Sequence, residues 1–368
     1  EKLKEINKTN ISIKEKILKS NFDNKIKALI YRKYELMLEA CSEDKQKYKE
    51  WLDWSLSISD KSINLFNGEN ELLKNLKKLK KVMNKKLYGM YDVKERILEI
   101  VTGMYTNKNS NNRCLALTGP PGVGKTVLAQ CIAESLNLPF VQISLGGAKD
   151  SSFLRGHSSV YVGSKPGVIV NALKRLNCNN GIIFFDELDK IQNTAEGAEV
   201  KSTLLHILDY SQNNNFRDDY MPEIPIDLSK IFFILSQNSL NIESDVDKIL
   251  NDRMPIINLD GYNINDRIKI GLHYLVPKIM NNLGINNKEI IINEKAVTYI
   301  IKKQSIQEYG VRQLERNLQN ILQKLNLLRM HKLDKKNNIL DLSYYLNDFK
   351  IPFTLKKKHI NKLFNEYE

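Results

Sequence analysis

The sequence feature that most constrains this chain is an eight-residue loop, G-P-P-G-V-G-K-T, running from Gly119 to Thr126. It directly follows an apolar run at 114–117 and precedes apolar residues at helical spacing, Leu128, Ile132 and Leu136. A strand, this loop and a helix in that order are the context in which G-x-x-x-x-G-K-[ST] binds phosphate groups. The octet with both flanking elements is too specific for an ordinary glycine-rich turn. The chain is therefore expected to bind a nucleoside triphosphate.

The residue types in the loop fit that chemistry. Glycines let backbone N–H groups turn towards a β-phosphate, and the helix N-terminus adds partial positive charge. Lys125 would bring a full charge to the β- and γ-phosphates, and Thr126 a hydroxyl to Mg²⁺. The expected cofactors are ATP or ADP with Mg²⁺. The predicted nucleotide-binding positions here are Gly119, Pro120, Pro121, Gly122, Val123, Gly124, Lys125, Thr126 and Val127.

Composition argues against several other classes of protein. The 368 residues suffice for two or three domains, and no apolar run approaches the roughly 18 to 20 residues of a membrane span. The four cysteines form no C-x-x-C pair and the five histidines no H-E-x-x-H pattern, so neither a disulfide framework nor a structural metal is expected. Because an initiator Met and a targeting signal are missing, we expect a fragment of something longer.

The formal net charge of +13 would attract anions, including nucleic acid. The lysines, however, are interleaved with Asn and Ile along the chain, a pattern typical of compositional bias and solvated helix faces. Non-specific nucleic-acid binding is left open by this charge, and a membrane partner is not expected.

Hydrophobic patterns divide the chain into four parts. Residues 1–86 predict an N-terminal helical arm in which Trp51 and Trp54 dock on a neighbouring surface. Residues 87–261 alternate short apolar runs with helical patterns, as a parallel α/β sheet flanked by helices requires. Residues 262–348 predict a small helical domain, and the Lys-rich residues 349–368 an exposed, linker-like tail.

Five strands are predicted for the sheet. They are Cys114–Leu117, Phe140–Ser144, Ile182–Phe185, Ile231–Ser236 and Ile256–Leu259. In the C-terminal part we predict a short edge strand at Glu289–Ile292, with helices at Ile264–Asn282, at Glu294–Lys303 and beyond Gly310.

A second motif places two acids after the third strand, Asp186 and Glu187. Ligands of open α/β sheets bind at the carboxyl ends of strands, so these acids would face the phosphate-binding loop. Asp186 would hold Mg²⁺ and its water shell, and Glu187 would polarise the attacking water. The alternative is that they cap the next helix. Asn238, after the fourth strand, would orient water or contact the γ-phosphate, although such a residue alone is more often part of a turn.

Beyond the loop, several blocks resemble the ATPase part of Lon proteases, which belong to the AAA+ superfamily. The resemblance covers roughly residues 48–330. The blocks that carry it are L-G-G-A-K-D from Leu145, R-G-H from Arg155, Y-V-G-S-K-P-G from Tyr161, D-E-L-D-K from Asp186, L-D from Leu208 with Q-N from Gln212, F-x-D-x-Y from Phe216, D-L-S from Asp227, D-R-M from Asp252, and G-V-R-Q-L-E-R from Gly310. It implies an AAA+ fold with a five-stranded parallel sheet and a small C-terminal helical domain.

The resemblance also implies roles for two arginines and one asparagine. Arg312 matches the arginine that contacts the nucleotide in cis, and Arg253 the finger that reaches the γ-phosphate of the neighbouring subunit. Either arginine by itself would be a surface charge in most proteins. Asn238 matches the sensor asparagine, although S-Q-N departs from the usual T-[AS]-N.

Two further segments match family positions. Tyr88 and Gly89 correspond to the segment that borders the adenine. Tyr161 and Val162 correspond to the aromatic-aliphatic pore loop that grips unfolded polypeptide. A loop-tip aromatic would otherwise be tucked onto its own domain.

The implied function is an ATP-driven unfoldase and translocase, part of an ATP-dependent endopeptidase, working as a homo-hexamer on unfolded or damaged proteins. Lon enzymes carry a C-terminal peptidase domain with a Ser-Lys dyad, and we expect no peptidase activity from this chain alone. Mitochondrial matrix, bacterial cytoplasm and a viral origin all fit the sequence.

Two other functions are compatible with parts of the sequence. A nucleic-acid-dependent AAA+ ATPase, such as a loader or helicase, is favoured by the charge, but a DNA translocase needs cations where Tyr161 stands. A scaffold that binds nucleotide without turnover is disfavoured by Glu187, the candidate catalytic carboxylate.

Overall fold

The computed structural model describes residues 12–63, 68–106, 113–161, 163–239, 245–304, 309–333, 344, 346 and 348–364. In these ranges the chain forms two compact units, the first made of residues 12–82, 92–118 and 126–257 and the second of residues 83–91, 119–125 and 258–364. No helix in the described ranges combines the length and apolarity that crossing a membrane requires.

A five-stranded sheet of order β2-β3-β4-β1-β5 forms the centre of the first unit. Its strands are β1 (Cys114–Thr118), β2 (Phe140–Ser144), β3 (Ile182–Asp186), β4 (Phe232–Gln237) and β5 (Ile256–Asn258). Each predicted strand is confirmed to within one residue at either end. The pairs β1–β4, β3–β4 and β2–β3 are parallel, with Thr118 opposite Gln237 and Ser144 opposite Asp186. The carboxyl ends of these strands therefore meet at one edge, which we call the carboxyl edge.

The inner strands are apolar on both faces. All residues of β1 and β4 are buried, as are the first four of β3, which is the pattern expected when helices cover both sides of a parallel sheet. The rings of Phe185 and Phe233 stack with 5.9 Å between centroids. Burial of these strands fixes the register that positions the carboxyl edge.

Helices surround the sheet and precede it in the chain. As far as β5 they are α1 (Ile13–Lys19), α2 (Asn24–Glu39), α3 (Ser42–Ser55), α4 (Glu69–Lys86), α5 (Tyr91–Thr106), α6 (Lys125–Leu136), α7 (Ser152–Arg155), α8 (Val168–Leu176), α9 (Ala195–Leu208) and α10 (Asp245–Asp252). Short 3₁₀ turns occur at Leu188–Lys190 and Asn213–Asn215.

The predicted N-terminal arm shares its core with the sheet. Ile30, Trp51 and Leu52 are buried in the same apolar cluster as Phe185 of β3. The Lys33 ammonium lies 4.0 Å from the centre of the Trp51 ring, so the tryptophan helix does dock on its surroundings. Residues 12–63 are thus part of the first unit, because their apolar stripe packs into the core of the sheet.

The second unit is mainly helical. Its helices are α11 (Ile264–Ile270), α12 (Val276–Asn282), α13 (Glu294–Lys303), α14 (Arg312–Leu333) and α15 (Lys357–Leu363). A π-helical turn at Gly271–Leu275 joins α11 to α12, so the predicted helix Ile264–Asn282 is continuous but widened. Pro277 follows that turn and lacks the N–H that a regular α-helix would use there.

The prediction of an exposed, linker-like tail from residue 349 is wrong for residues 349–363. The strand β7 (Phe353–Thr354) pairs in parallel with β6 (Ile290–Ile291), and Leu355 and Ile360 are fully buried in the core of the second unit. The apolar residues Phe353, Leu355 and Ile360 were not recognised as core residues because three lysines, at 356–358, interrupt them. The predicted edge strand near Ile290 is confirmed, and its partner comes from the tail.

Candidate active site

The predicted phosphate-binding loop connects β1 to α6, and its residues 119–125 belong to the second unit. Two of its glycines are required by close contacts within that unit. A Cβ atom at Gly119 would lie 2.2 Å from the carbonyl oxygen of Leu259, and one at Gly122, where φ is +79°, would lie 3.0 Å from the backbone nitrogen of Arg312. Any larger residue would push the loop away from these neighbours. The loop conformation is therefore fixed by its surroundings.

Lys125 is the first residue of α6 and is only 9% exposed. Its ammonium group donates hydrogen bonds to the carbonyl oxygen of Gly119 and, at 3.2 Å, to that of Pro120. A full positive charge thus lies beside the N-terminus of a helix, an arrangement that suits an anionic group. Thr126 and Val127 follow in the first turn and are partly buried. The donors present fit a polyphosphate.

Arg312 lies in the same unit as the loop and begins α14. The N–H of the preceding residue, Val311, donates to the carbonyl oxygen of Gly122 at 3.2 Å. A Cβ atom at Gly310 would lie 2.1 Å from the carbonyl oxygen of Pro121. The start of α14 is thus packed backbone to backbone on the loop, while the Arg312 side chain itself is exposed.

Tyr88 and Gly89 lie between α4 and α5, also in the second unit. The ammonium group of Lys269 lies 5.7 Å from the centre of the Tyr88 ring. The neighbouring Leu87 packs so closely that a Cβ atom at Gly124 would lie 2.7 Å from it. The second unit therefore brings together three segments that the sequence assigned to the nucleotide.

Asp186 is the last residue of β3, at the carboxyl edge of the sheet. One carboxylate oxygen accepts a hydrogen bond from the amide of Gln142 on β2 at 2.9 Å, and the other accepts one from the hydroxyl of Ser236 on β4. Both flanking strands thus orient this carboxylate. Oxygen ligands held in this way suit Mg²⁺, which takes one or two carboxylates and completes its shell with water and phosphate oxygens.

Glu187 follows with its backbone in the left-handed region, at φ +61° and ψ +44°. A non-glycine residue rarely adopts this conformation, and such strain is concentrated at functional sites. The Glu187 carboxylate accepts a hydrogen bond from the hydroxyl of Ser144 at 2.8 Å. A Cβ atom at Gly146 would lie 2.8 Å from the same carboxylate oxygen, so a larger residue there would displace the Glu187 side chain from this position. The side chain is exposed and held by one neighbour.

Asn238 directly follows β4 and is partly buried. Its backbone N–H and its side-chain amide both donate to the carboxylate of Asp189, at 3.1 and 2.9 Å. The two residues before it are also engaged: Ser236 bonds to Asp186, and the buried Gln237 donates to the Thr118 hydroxyl at 3.0 Å. The departure from T-[AS]-N therefore leaves the asparagine held at the carboxyl edge, and that edge joins Asp186, Glu187 and Asn238.

Sequence reasoning missed three groups that hold these side chains, namely Ser144, Asp189 and Ser236. Each lies at or just beyond the carboxyl end of a strand, or in the turn that follows the two acids. That position was the available signal, because side chains at the carboxyl edge of a parallel sheet face the ligand side. Assigning partners additionally needs the register between strands.

Arg253 lies immediately after α10, away from the carboxyl edge. Its backbone carbonyl accepts a hydrogen bond from the Cys114 thiol at 3.2 Å, at the amino end of β1. The four residue steps of β1 separate that point from the carboxyl edge by about 13 Å. Its guanidinium lies 3.4 Å from the carboxylate of Asp209. The pKa of Asp209 is lowered, first by the backbone N–H of Ser211 and further by Arg253.

Tyr161 lies in a loop between α7 and α8, made of residues 157–161 and 163–165 and called here the Tyr161 loop. Its side chain is 71% exposed, and that of Val160 is 79% exposed. The alternative of an aromatic tucked onto its own domain is therefore wrong for Tyr161. Val162, the other predicted gripping residue, lies outside the described residues.

Across the described ranges, no group of three or more His, Cys, Asp or Glu side chains is placed to hold a metal ion.

Comparison with known proteins connects these features to a family. The family model described as ATPase family associated with various cellular activities (AAA) matches residues 115–260. The chain is 36% identical over 300 residues to the Lon protease of Fusobacterium nucleatum, covering 81% of this chain and 38% of that protein. It is 36% identical over 285 residues to the mitochondrial Lon protease homolog of Saccharomyces cerevisiae, covering 77% and 24%. For the Lon protease of Malacoplasma penetrans the identity is 33% over 350 residues, covering 94% and 43%.

The chain spans less than half the length of each of these relatives. The matched residues include the phosphate-binding loop, the five strands and the side chains of the carboxyl edge. The fold, the family model and the relatives agree on a nucleotide-binding ATPase. The chain therefore belongs to the Lon family, as an AAA+ ATPase module.

Proposed function

We propose that this module uses ATP hydrolysis to pull unfolded or damaged polypeptide through a hexameric ring, as part of an ATP-dependent protease. The observation that carries the proposal is the exposed Tyr161 at the tip of a loop, in a chain that also has an ATPase site. The names of the relatives support the protease part.

The loop and four other positions hold the nucleotide. Backbone N–H groups of residues 119–125 and the ammonium group of Lys125 bind its phosphates, with Val127 bordering them. Tyr88 and Gly89 border the adenine, and Arg312 contacts the nucleotide from its own subunit. Packing of Val311 and Gly310 on the loop supports the role of Arg312, because it fixes the backbone position from which the Arg312 side chain extends.

Hydrolysis depends on the carboxyl edge. Thr126 and Asp186 hold Mg²⁺, which when bound neutralises charge that develops on the phosphates. Glu187 accepts the proton of the attacking water, and Asn238 orients that water or the γ-phosphate. The hydrogen bonds from Ser144 to Glu187 and from Asn238 to Asp189 support these roles, because they keep both side chains in one orientation.

Arg253 completes the site of a neighbouring subunit. Its backbone lies at the amino end of β1, about 13 Å along the strand from the acids of its own chain, a distance that a single arginine side chain does not span. A head-to-tail ring would present it to the next subunit, where it stabilises charge in the transition state.

Tyr161 and Val162 grip the polypeptide. An exposed aromatic ring stacks on any chain without regard to sequence, which a general unfoldase requires. The nucleic-acid-dependent alternative is not favoured, because the exposed loop tip presents Val160 and Tyr161 where phosphates would need cations.

The test is the ATPase rate with and without a permanently unfolded protein, reduced and carboxymethylated α-lactalbumin. Tyr161→Ala should keep the basal rate and lose the stimulation by this polypeptide. The matched control is Tyr31→Ala, on α2, which should keep both. Retained stimulation in Tyr161→Ala would reject the gripping role.

A further inference from the structure

A single buried carboxylate, that of Asp218, lies at the base of the Tyr161 loop. We propose that Asp218 is a positioning residue that fixes the base of the Tyr161 loop to the core of the first unit, so that the exposed tip moves with that unit. This inference rests on the proposed gripping role of Tyr161.

Asp218 is 0% exposed, and its two oxygens have separate donors. One oxygen accepts the backbone N–H of Gly167 at 2.9 Å, and the other accepts the backbone N–H of Tyr220, also at 2.9 Å. Gly167 is the residue at which the chain leaves the Tyr161 loop and enters α8. The carboxylate therefore joins the end of the loop to the segment that carries Tyr220.

The two ends of the loop are in backbone contact with one another. Gly156, at φ +79°, precedes the loop, and a Cβ atom there would lie 2.6 Å from the nitrogen of Gly167. A Cβ atom at Gly167 would lie 2.0 Å from the carbonyl oxygen of Leu154. The N–H of His157 donates to the carbonyl oxygen of Lys165 at 3.2 Å. These contacts hold the two ends of the loop together below its exposed tip.

The segment on the other side of Asp218 is anchored in the core. Phe216 and Tyr220 are buried in the main apolar cluster, and the backbones of Phe216 and Ile226 exchange hydrogen bonds of 3.0 and 2.8 Å. The N–H of Asp219 donates to the carbonyl oxygen of Arg155, just before the loop, at 2.7 Å. Both ends of the loop are thus tied to this one anchored segment.

An aspartate is needed at position 218 because the two N–H groups require two acceptor oxygens, and an asparagine offers one. Burial raises the pKa of Asp218 to about 7, against the lowering effect of both N–H donors. The nearby charges are those of Asp219 and Arg155, whose side chains lie 3.7 Å apart. Burial of a carboxyl group costs folding free energy, so an aspartate at this position is expected to do more than fill space.

The experiment compares Asp218→Asn with the matched control Asp219→Asn. The amide of the asparagine would face one of the two N–H donors, so one hydrogen bond is lost without a change of volume. We expect amide hydrogen exchange in residues 154–167 to become about tenfold faster, and the KM for the unfolded polypeptide in stimulated ATPase to rise several-fold, with basal ATPase unchanged. Asp219→Asn should change neither quantity, since its backbone bond to Arg155 remains and the ion pair that it removes is long, exposed and screened by solvent.

The outcomes separate the inference from the proposed function. If exchange in residues 154–167 is unchanged in Asp218→Asn, the inference is overturned. If exchange accelerates while the KM is unchanged, and Tyr161→Ala still loses stimulation, Asp218 does not position the gripping residue and the function stands. If Tyr161→Ala keeps stimulation, the gripping role is rejected, and with it the claim that Asp218 positions a residue that contacts polypeptide.

The wild-type chain offers a measurement that needs no variant. If both N–H groups bond to one carboxylate, the amide resonances of Gly167 and Tyr220 should titrate together with one midpoint near pH 7. Separate midpoints, or titration of only one of the two resonances, would contradict the shared contact even if Asp218→Asn fails to fold.

Discussion

Two regions of the first unit differ in how tightly they hold their proposed functional side chains. At the carboxyl edge, Asp186, Glu187 and Asn238 are each held by the side chain of a neighbouring strand or turn. In the Tyr161 loop the aromatic side chain is 71% exposed, and the fixed contacts are at the base. Hydrolysis needs groups held within a fraction of an ångström, whereas gripping chains of any sequence needs a side chain free to adapt. Side chains are therefore held rigidly at the proposed ATPase site and are exposed at the proposed polypeptide contact.

Lys125→Ala has the widest expected effect, because a chain that no longer binds ATP would lose both hydrolysis and any stimulation by polypeptide. Because the loop loses a buried full charge, ATP affinity measured by titration calorimetry should fall at least about 100-fold, the value of one or two charge-assisted hydrogen bonds. Unfolded polypeptide should then no longer stimulate ATP hydrolysis. The control is Lys230→Ala, an exposed lysine at the other end of β4. Undiminished ATP affinity would break the assignment of the loop.

Arg253→Ala tests whether the proposed ATPase site is complete within one subunit or needs Arg253 from a neighbouring subunit. Arginine fingers in other ATPases and GTPases contribute factors of about 10³ to 10⁵ in rate, so hydrolysis should fall by about that much with ATP binding retained. Mixing Arg253→Ala with Lys125→Ala subunits should restore activity, since an intact loop in one subunit meets an intact finger from the other. Mixtures that never recover, at any protein concentration, would indicate that Arg253 acts in cis.

Glu187→Gln tests the chemical role of one carboxylate at the carboxyl edge. The amide keeps the shape of the side chain but cannot accept the proton of water, so turnover should fall by about 10² or more while ATP affinity is kept. The matched control is Glu196→Gln in the first turn of α9, which should turn over normally. Wild-type turnover in Glu187→Gln would mean that another residue polarises the water.

A pH dependence of stability is expected at the base of the Tyr161 loop. The folded chain holds a proton on Asp218 up to about pH 7, whereas the unfolded carboxyl releases it near pH 4, so this group makes stability fall as pH rises between those values. The slope would be at most about 1.4 kcal/mol per pH unit. Urea unfolding at several pH values should show this slope in the wild type and in Asp219→Asn, and its loss in Asp218→Asn. An unchanged slope in Asp218→Asn would assign it to another group.

Much of the fold and part of the site could be predicted from local pattern. The strands were found because buried parallel strands are continuous apolar runs, and the loop and the two acids because their spacing is specific. The partners of those acids were not found, since a serine at the end of a strand is recognised only when the register with its neighbour is known. Asp218 was unassigned for the same reason, because Gly167 lies 51 residues before it. In the tail, Phe353 becomes a strand residue only through pairing with Ile290.

The most direct test of the account places a photoreactive p-benzoylphenylalanine at position 161 and irradiates the protein with unfolded, carboxymethylated α-lactalbumin while it hydrolyses ATP. We expect crosslinks to the polypeptide that depend on hydrolysis and disappear when Lys125→Ala is added to the same chain. Placement of the same group at position 31 provides the background. Crosslinking at position 161 no higher than at position 31, in a chain that still hydrolyses ATP, would contradict the claim that this loop grips the polypeptide.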